Sequence, residues 1–362
     1  MADRSVAVVL GTRPEIVKLA PVIRALGTQA RVVFSGQHFD PAMSADVFAA
    51  LGLDPPQATL EVGGRPRAQQ IGLGSAWCSA VLSADRPAAV VVQGDTNTAL
   101  AGALAANREG IPLVHVEAGL RSDDARMPEE RNRILVDHLA TLCCAPTPHA
   151  RTRLEAEAIA PERIRVTGNP VVDAVRAVLP PSAERREILD RFGLEADGFL
   201  LATFHRAENV DDPPVLTQIY AALDAMPLPV VFPVHPRTAA RAAALGLALD
   251  PERVTTIGPV GYRELLGLVA ESAFVVSDSG GLQEEASVVG RPMLVVRAST
   301  ERPEVLGTFA ELVTPRDLAG RAVEWAGQLP ALHRRLAGVP TPFGDGHAGE
   351  RIAAEVRALT GR

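Results

Sequence analysis

The chain has 362 residues, 47% of them hydrophobic, with 36 Lys and Arg against 43 Asp and Glu for a formal charge of −7. That length suits two to three domains with ample core. The acidic balance, with no long Lys/Arg cluster, argues against nucleic-acid binding but leaves room for a local basic pocket for an anionic metabolite. Three cysteines, Cys78, Cys143 and Cys144, stand in no metal-binding spacing, so neither a disulfide framework nor a zinc site is indicated. No stretch reaches the ~18 uncharged apolar residues of a membrane span, and the apolar segment of MADRSVAVVLG is too short for a signal peptide. A soluble, cytoplasmic protein is expected.

Short β-branched runs alternate with longer Ala/Leu/Glu-rich segments. In chain order the expected strands are 5–10, 30–35, 88–93, 111–116, 163–168, 199–204, 228–233, 253–258, 273–278 and 292–297. Most are apolar throughout, as strands buried on both faces of a parallel sheet read, and the segments between them are long enough for crossover helices. The series pauses at AVLPPSAERREI (177–188), where the double proline marks an interdomain linker. The expected fold class is α/β: two Rossmann-like, doubly wound domains, 1–175 and 182–345, facing a central cleft.

Ligands of such sheets bind beyond the carboxyl ends of the strands, and polar residues cluster there. LGTRPEIVK brings Arg13 and Lys18 to the start of a helix, although Arg13 could simply solvate it. VQGDTNT brings Asp95, which could equally be a plain N-cap. HVEAGLRS brings Glu117, and MPEERNR opens a helix with Glu129 and Glu130, acids that often serve only as dipole partners. Three carboxylates at strand ends form a candidate acid/base group. In the second half, ATFHRAEN supplies His205 and Arg206, VFPVHPRT supplies His235 and Arg237, and RASTERPE supplies Arg297 and Arg302. SDSGGLQEEAS (277–287) sets Ser279, Gly280 and Gly281 at a helix start, where amides and dipole favour phosphate. It also crowds Asp278, Glu284 and Glu285 into the same place. No GxGxxG or Walker loop follows the first strand, so neither a nicotinamide cofactor nor ATP is implied.

Assembled in order, GTRPE (11–15), GQH (36–38), QGDT (93–96), HVEAGLRS (115–122), MPEERNR (127–133), GNPVVDA (168–174), HRAEN (205–209), PVH (233–235), DSGGLQEEA (278–286), TERPE (300–304) and FGDGHAGERI (343–352) resemble the non-hydrolysing UDP-N-acetylglucosamine 2-epimerases over nearly the whole chain. The resemblance implies a GT-B-like fold whose last helix, 347–362, packs back on the N-terminal domain. It implies a cytoplasmic homodimer with a UDP-sugar substrate and no cofactor or metal. It also implies interconversion of UDP-GlcNAc and UDP-ManNAc by elimination of UDP to a 2-acetamidoglucal and re-addition. Carried over residue by residue, Asp95, Glu117, Glu129 and His205 become the catalytic candidates. Arg13, Lys18, Arg206, His235, Ser279, Gly280, Gly281, Glu285 and Arg297 become substrate-binding candidates, with Glu285 on the ribose. Gln37, His38 and Gln70 match a second, activating UDP-sugar site. Ala207, Leu265 and Asp40 depart from the family pattern. A UDP-2,3-diacetamido-glucuronate 2-epimerase and a hydrolysing epimerase remain the alternatives. Asp278 has no role at this stage beyond capping the turn.

Overall fold

The computed structural model describes residues 5–37 and 47–361, and they form two compact units. The first joins residues up to Arg176 with Phe343–Arg362; the second spans Ala177–Pro342. The fold class is α/β, with one parallel sheet in each unit.

The N-terminal sheet contains β1 (Val6–Leu10), β2 (Ala30–Phe34), β3 (Ala58–Thr59), β4 (Ala89–Gln93), β5 (Leu113–Val116), β6 (Leu142–Ala145) and β7 (Ile164–Val166). Their order is β3-β2-β1-β4-β5-β6-β7, all parallel. Val8 pairs with Val32 on one side and Val91 on the other. Every residue of β1, β4, β5 and β6 is buried, which is why these strands read as unbroken apolar runs. The edge strand β7 exposes Arg165 and Val166.

The C-terminal sheet contains β8 (Leu200–Thr203), β9 (Val230–Pro233), β10 (Val254–Ile257), β11 (Phe274–Ser277), β12 (Met293–Val296) and β13 (Ala310–Val313), in the order β10-β9-β8-β11-β12-β13 and all parallel. Its core is more aromatic: Phe204 meets Phe232 and Phe274 meets Trp325, both edge to face.

Three strands went unread in the sequence. β3 has two residues, β13 carries a glutamate, and β6 is the run LCCA, whose cysteines fill the sheet as small hydrophobes. The units divide at the first residue of the segment 177–188, and most of that segment is helical. Helix Pro170–Val178 carries the chain across the unit boundary, and helix Ser182–Phe192 follows directly after Pro180 and Pro181. Proline just ahead of a helix interrupts no hydrogen bond, and SAERREILDRF is rich in helix formers. Among the described residues no helix is long and apolar enough to cross a membrane.

The chain end belongs to the N-terminal unit. Helix Ala348–Leu359 lies on helix Arg13–Leu26. Its first amides, Ala348 and Gly349, donate to the Asp173 carboxylate at 3.2 and 2.9 Å, and Arg357 reaches the Ala25 carbonyl at 2.6 Å. The two helices touch at Gly349, where a Cβ would stand 2.7 Å from the Pro21 side chain and 2.8 Å from its carbonyl carbon. Gly349→Ala is therefore expected to destabilise the protein by about 1–3 kcal/mol, read as a lowered urea midpoint. An unchanged midpoint would show that the helices part without cost.

Candidate active site

In the N-terminal unit the strand order reverses between β1 and β4, the place where such sheets open a crevice beyond their carboxyl ends. The chain leaves β1 through Gly11, where a Cβ would stand 2.1 Å from Ser35 Oγ and 2.3 Å from Thr98 Oγ1, so only glycine fits. Thr12 begins helix Arg13–Leu26, with Pro14 in its first turn. Glu15 folds back to accept the Gly11 amide at 3.0 Å and the Thr96 hydroxyl at 2.7 Å. It thereby ties the turn after β1 to the turn after β4. Burial raises its carboxyl to about 7 against those hydrogen bonds.

Beyond β4, Thr96 and not Asp95 caps helix Asn97–Arg108, its hydroxyl accepting the Ala99 amide at 2.9 Å. The plain N-cap reading of Asp95 is thus corrected. Its half-buried carboxylate pairs with Arg133, and its carbonyl accepts from Asn132 at 2.8 Å. Beyond β5, Glu117 sits at φ 69°, a left-handed conformation uncommon for a residue with a Cβ. Its carboxylate receives Lys18 Nζ at 2.7 Å, Asn169 Nδ2 at 3.3 Å and the Gln93 amide. Both partners of the Lys18–Glu117 pair are buried, and removing one partner of such a pair costs about 3–5 kcal/mol.

Underneath these turns lies a fully buried network. His115 contacts Asp137 at 2.6 Å through Nδ1 and the Gly94 carbonyl at 2.9 Å through Nε2. Asp137 also accepts from Arg121 at 2.6 Å and from the Gly119 amide at 3.2 Å. Burial works to raise the Asp137 carboxyl, but His115 and Arg121 outweigh it and hold the group below the usual carboxylate range. The network anchors Gly94 and Gly119, which flank Asp95 and Glu117 in sequence.

The two glutamates of helix Pro128–Leu139 separate cleanly. Glu130 is buried and accepts from the Ser122 amide (3.0 Å), the Ser122 hydroxyl (2.9 Å), the Asp123 amide (3.1 Å) and Arg133 (3.0 Å). Glu129 is exposed. Gln37 and Gln70 meet the start of helix Asn97–Arg108: Gln37 accepts from the Thr98 amide and hydroxyl, both at 2.9 Å, and Gln70 accepts from Asn97 at 2.7 Å. His38 and Asp40 lie outside the described residues. Arg13 is half-buried at the head of its helix.

In the C-terminal unit the order reverses between β8 and β11. Ser279 caps helix Gly280–Val289 by accepting the Leu282 amide at 3.3 Å, and its own amide donates to Ser277 Oγ at 3.0 Å. The Gly280 and Gly281 amides are first-turn donors with no intrahelical acceptor. A Cβ on Gly280 would lie 2.6 Å from Arg302 Nη1 and 3.5 Å from Arg206 Nη2. Two guanidinium groups therefore flank the helix start. Arg302 is oriented by Glu284 at 2.8 Å and Glu301 at 3.2 Å. Arg297 is committed to Glu301 at 2.7 Å and Glu208 at 3.4 Å. Glu285 is nearly buried one turn further along the helix. Leu265 is half-buried in helix Tyr262–Glu271, and Ala207 opens helix Ala207–Val210.

Asp278, without a role in the sequence, is the buried centre of this site. It accepts the amides of His205 (3.1 Å) and Arg206 (3.0 Å) and Asn209 Nδ2 (3.1 Å), and its carboxylate lies 3.1 Å from His205 Nδ1. The His205 ring lies 6.0 Å from that of His235, centroid to centroid. Sequence reasoning also passed over Glu15, Gln93, Arg133 and Asn169. All four lie inside the quoted motifs, but nothing in their spacing shows which partner each would meet.

A sequence model of the family described as UDP-N-acetylglucosamine 2-epimerase matches residues 23–357. The chain is 37% identical over 358 residues to the UDP-N-acetylglucosamine 2-epimerase of Methanococcus maripaludis, covering 96% of each chain. It is 36% identical over 369 residues to the UDP-2,3-diacetamido-2,3-dideoxy-D-glucuronate 2-epimerase of Pseudomonas aeruginosa, covering 97% of this chain and 99% of that one. The crystal structure of Methanocaldococcus jannaschii UDP-GlcNAc 2-epimerase in complex with UDP-GlcNAc and UDP is similar with a TM-score of 0.89 and 36% identity, covering 98% and 99%.

Glu15 gives the N-terminal site a pH signature. Its carboxyl moves from 4.5 to about 7 on folding, so the folded state keeps a proton that the unfolded chain releases. The raised value makes its contribution fully present below the unfolded pKa and lost as pH rises through the folded one. Glu15→Gln cannot titrate. The stability difference between wild type and this variant should shift against wild type by about 3 kcal/mol between pH ~4.5 and ~7.5, followed by urea unfolding. A difference independent of pH would mean that folding leaves the Glu15 carboxyl at its ordinary value.

Proposed function

The chain belongs to the UDP-N-acetylglucosamine 2-epimerase family, and from that premise we propose that it interconverts UDP-GlcNAc and UDP-ManNAc by the non-hydrolysing route. In this reading a base removes the C2 proton while UDP departs from C1, giving a 2-acetamidoglucal. UDP then re-adds at C1 and a proton returns to C2 on the opposite face. Atoms balance without a redox partner, because the proton and the UDP that leave are the ones that return or exchange with solvent.

The observation that carries the reading is the match of family motifs along almost the whole chain, with carboxylates directly beyond β4 and β5. Inversion at C2 needs groups on two faces of the ring, one accepting and one giving a proton. We assign this work to Asp95, Glu117 and Glu129. The Lys18 ammonium neutralises Glu117, and Arg133 neutralises Asp95, so each carboxylate is held in one orientation by a cation. For the departing diphosphate we assign the Gly280 and Gly281 amides, the Ser279 cap, Arg206 and His205, with Arg302 added beside them. Donors aimed at developing negative charge are worth more in a water-poor site than in bulk solvent. His235 supports the same anion, and Glu285 accepts from the ribose hydroxyls. Arg297, held by two glutamates, acts by orienting Glu301 and not by direct contact. Gln37 and Gln70 remain the candidates for an activating second UDP-sugar.

The likeness to an enzyme of a diacetamido-glucuronate nucleotide favours one second reading, in which the same chemistry acts on that sugar. Incubation in D2O with either UDP-sugar, followed by NMR, decides both points. Deuterium should enter C2 of UDP-GlcNAc; uptake only by the diacetamido-glucuronate substrate selects the second reading, and uptake by neither removes the elimination mechanism. Free ManNAc in place of UDP-ManNAc would select the hydrolysing type. Asp95→Asn should lower turnover roughly 10²- to 10⁴-fold while calorimetric UDP binding is kept; full turnover would reduce Asp95 to a partner of Arg133.

A further inference from the structure

We propose that Asp278 is a positioning residue that holds His205 as its Nδ1–H tautomer, so that Nε2 is the nitrogen presented to the ligand. The inference deepens the proposed function, resting on it for the role of His205 toward the UDP-sugar.

The argument starts from what a carboxylate can do. When ionised it only accepts hydrogen bonds. Asp278 has no exposed surface and already accepts the backbone amides of His205 and Arg206 at 3.1 and 3.0 Å and the Asn209 side chain at 3.1 Å. Burial works to raise its carboxyl, yet the His205 ring and these donors outweigh it and hold the group below the usual carboxylate range. The fourth neighbour is His205 Nδ1, at 3.1 Å. Facing an ionised acceptor, Nδ1 has to carry the proton. The geometry over-determines this choice, because Asp278 also grips the backbone of the same residue and cannot swing away from the ring.

The consequence falls on the other side of the imidazole. The His205 side chain is 41% exposed, in contrast to its fully buried partner. With Nδ1 protonated, Nε2 is a bare acceptor in the neutral ring and a donor once the ring takes a proton. In that second state the imidazolium faces Asp278 across a charge-assisted bond. Neighbouring His235 is set the other way. Its Nδ1 accepts the Arg237 amide at 3.2 Å, so in its neutral form the proton sits on Nε2. The two rings, 6.0 Å apart, thus offer opposite functions at Nε2, an acceptor on His205 and a donor on His235. In the proposed reaction this gives the leaving diphosphate one fixed donor and one nitrogen able to gain a proton.

The test begins with wild-type protein and needs no substrate. ¹⁵N–¹H correlation spectra of imidazole-labelled protein, with His205→Gln used to assign the resonance, should show a protonated Nδ1 and a bare Nε2 for neutral His205. A protonated Nε2 with a bare Nδ1 overturns the proposal. Asp278→Asn keeps the shape and an acceptor for the backbone amides but can turn an NH2 toward Nδ1. It should reverse the tautomer and lower kcat roughly 10²- to 10⁴-fold, with KM for the UDP-sugar little changed. A variant with wild-type tautomer and wild-type kcat also overturns the proposal. Because the spectra involve no turnover, they decide the role of Asp278 even if the substrate is a different one.

Discussion

A carboxylate withdrawn from water must be met by donors on every side, and that constraint organises the turns beyond the strands in both units. Desolvating an isolated charge costs several kcal/mol even after relaxation. Each buried acid therefore recruits a shell, and the shell fixes the backbone around it. Glu117 takes a lysine and two amide side chains, Asp137 a histidine and an arginine, and Asp278 two backbone amides, an asparagine and a histidine. The strands supply only side chains near their carboxyl ends, Gln93 of β4 and His115 of β5, because their backbone N–H groups are spent in the ladders. The rest of each shell comes from the turns just beyond the strands and from the helices that follow.

The two units solve this problem on the same plan with different materials. Both sheets reverse order beside their first strand, at β1/β4 and β8/β11. In the N-terminal unit the acids are matched mainly by side chains, and one acid, Asp95, stays half-exposed with Arg133 as its partner. In the C-terminal unit the acids serve as anchors for cations. Glu284 and Glu301 hold Arg302 against Gly280, while Asp278 holds the His205 and Arg206 backbone. The N-terminal unit presents carboxylates steadied by cations; the C-terminal unit presents cations and amides steadied by carboxylates.

Strands whose side chains are all buried announced themselves as apolar runs: β1, β4, β5, β9, β11 and β12 each fall within a predicted run. β6 was illegible because cysteine is a weak strand signal and the run has four residues. The positions of the candidate residues at strand ends were legible too, since parallel sheets put ligands there. Their partners were not. Asp95 read as a cap because it precedes a helix, yet the threonine after it holds the capping geometry. Glu129 and Glu130 read alike, and only three-dimensional neighbours show that Glu130 is spent on the Ser122 loop. The missing information is pairing across 38 to 99 residues of chain, as in Arg133 with Asp95 and Lys18 with Glu117, and no local pattern encodes it.

The crowding of SDSGGLQEEAS resolves in the same terms. A helix start carries partial positive charge, so placing the Arg302 and Arg206 guanidinium groups beside it is unfavourable unless anions compensate. Glu284 and Glu301, both without exposed side-chain surface, provide that compensation and aim Arg302 at the glycine amides. Gly280 is then glycine for a second reason besides its donor: any Cβ would push Arg302 aside. The acids of this stretch do not compete with a phosphate for the helix start. Glu284, with Glu301, keeps Arg302 beside the glycine amides, where the dipole alone would repel it.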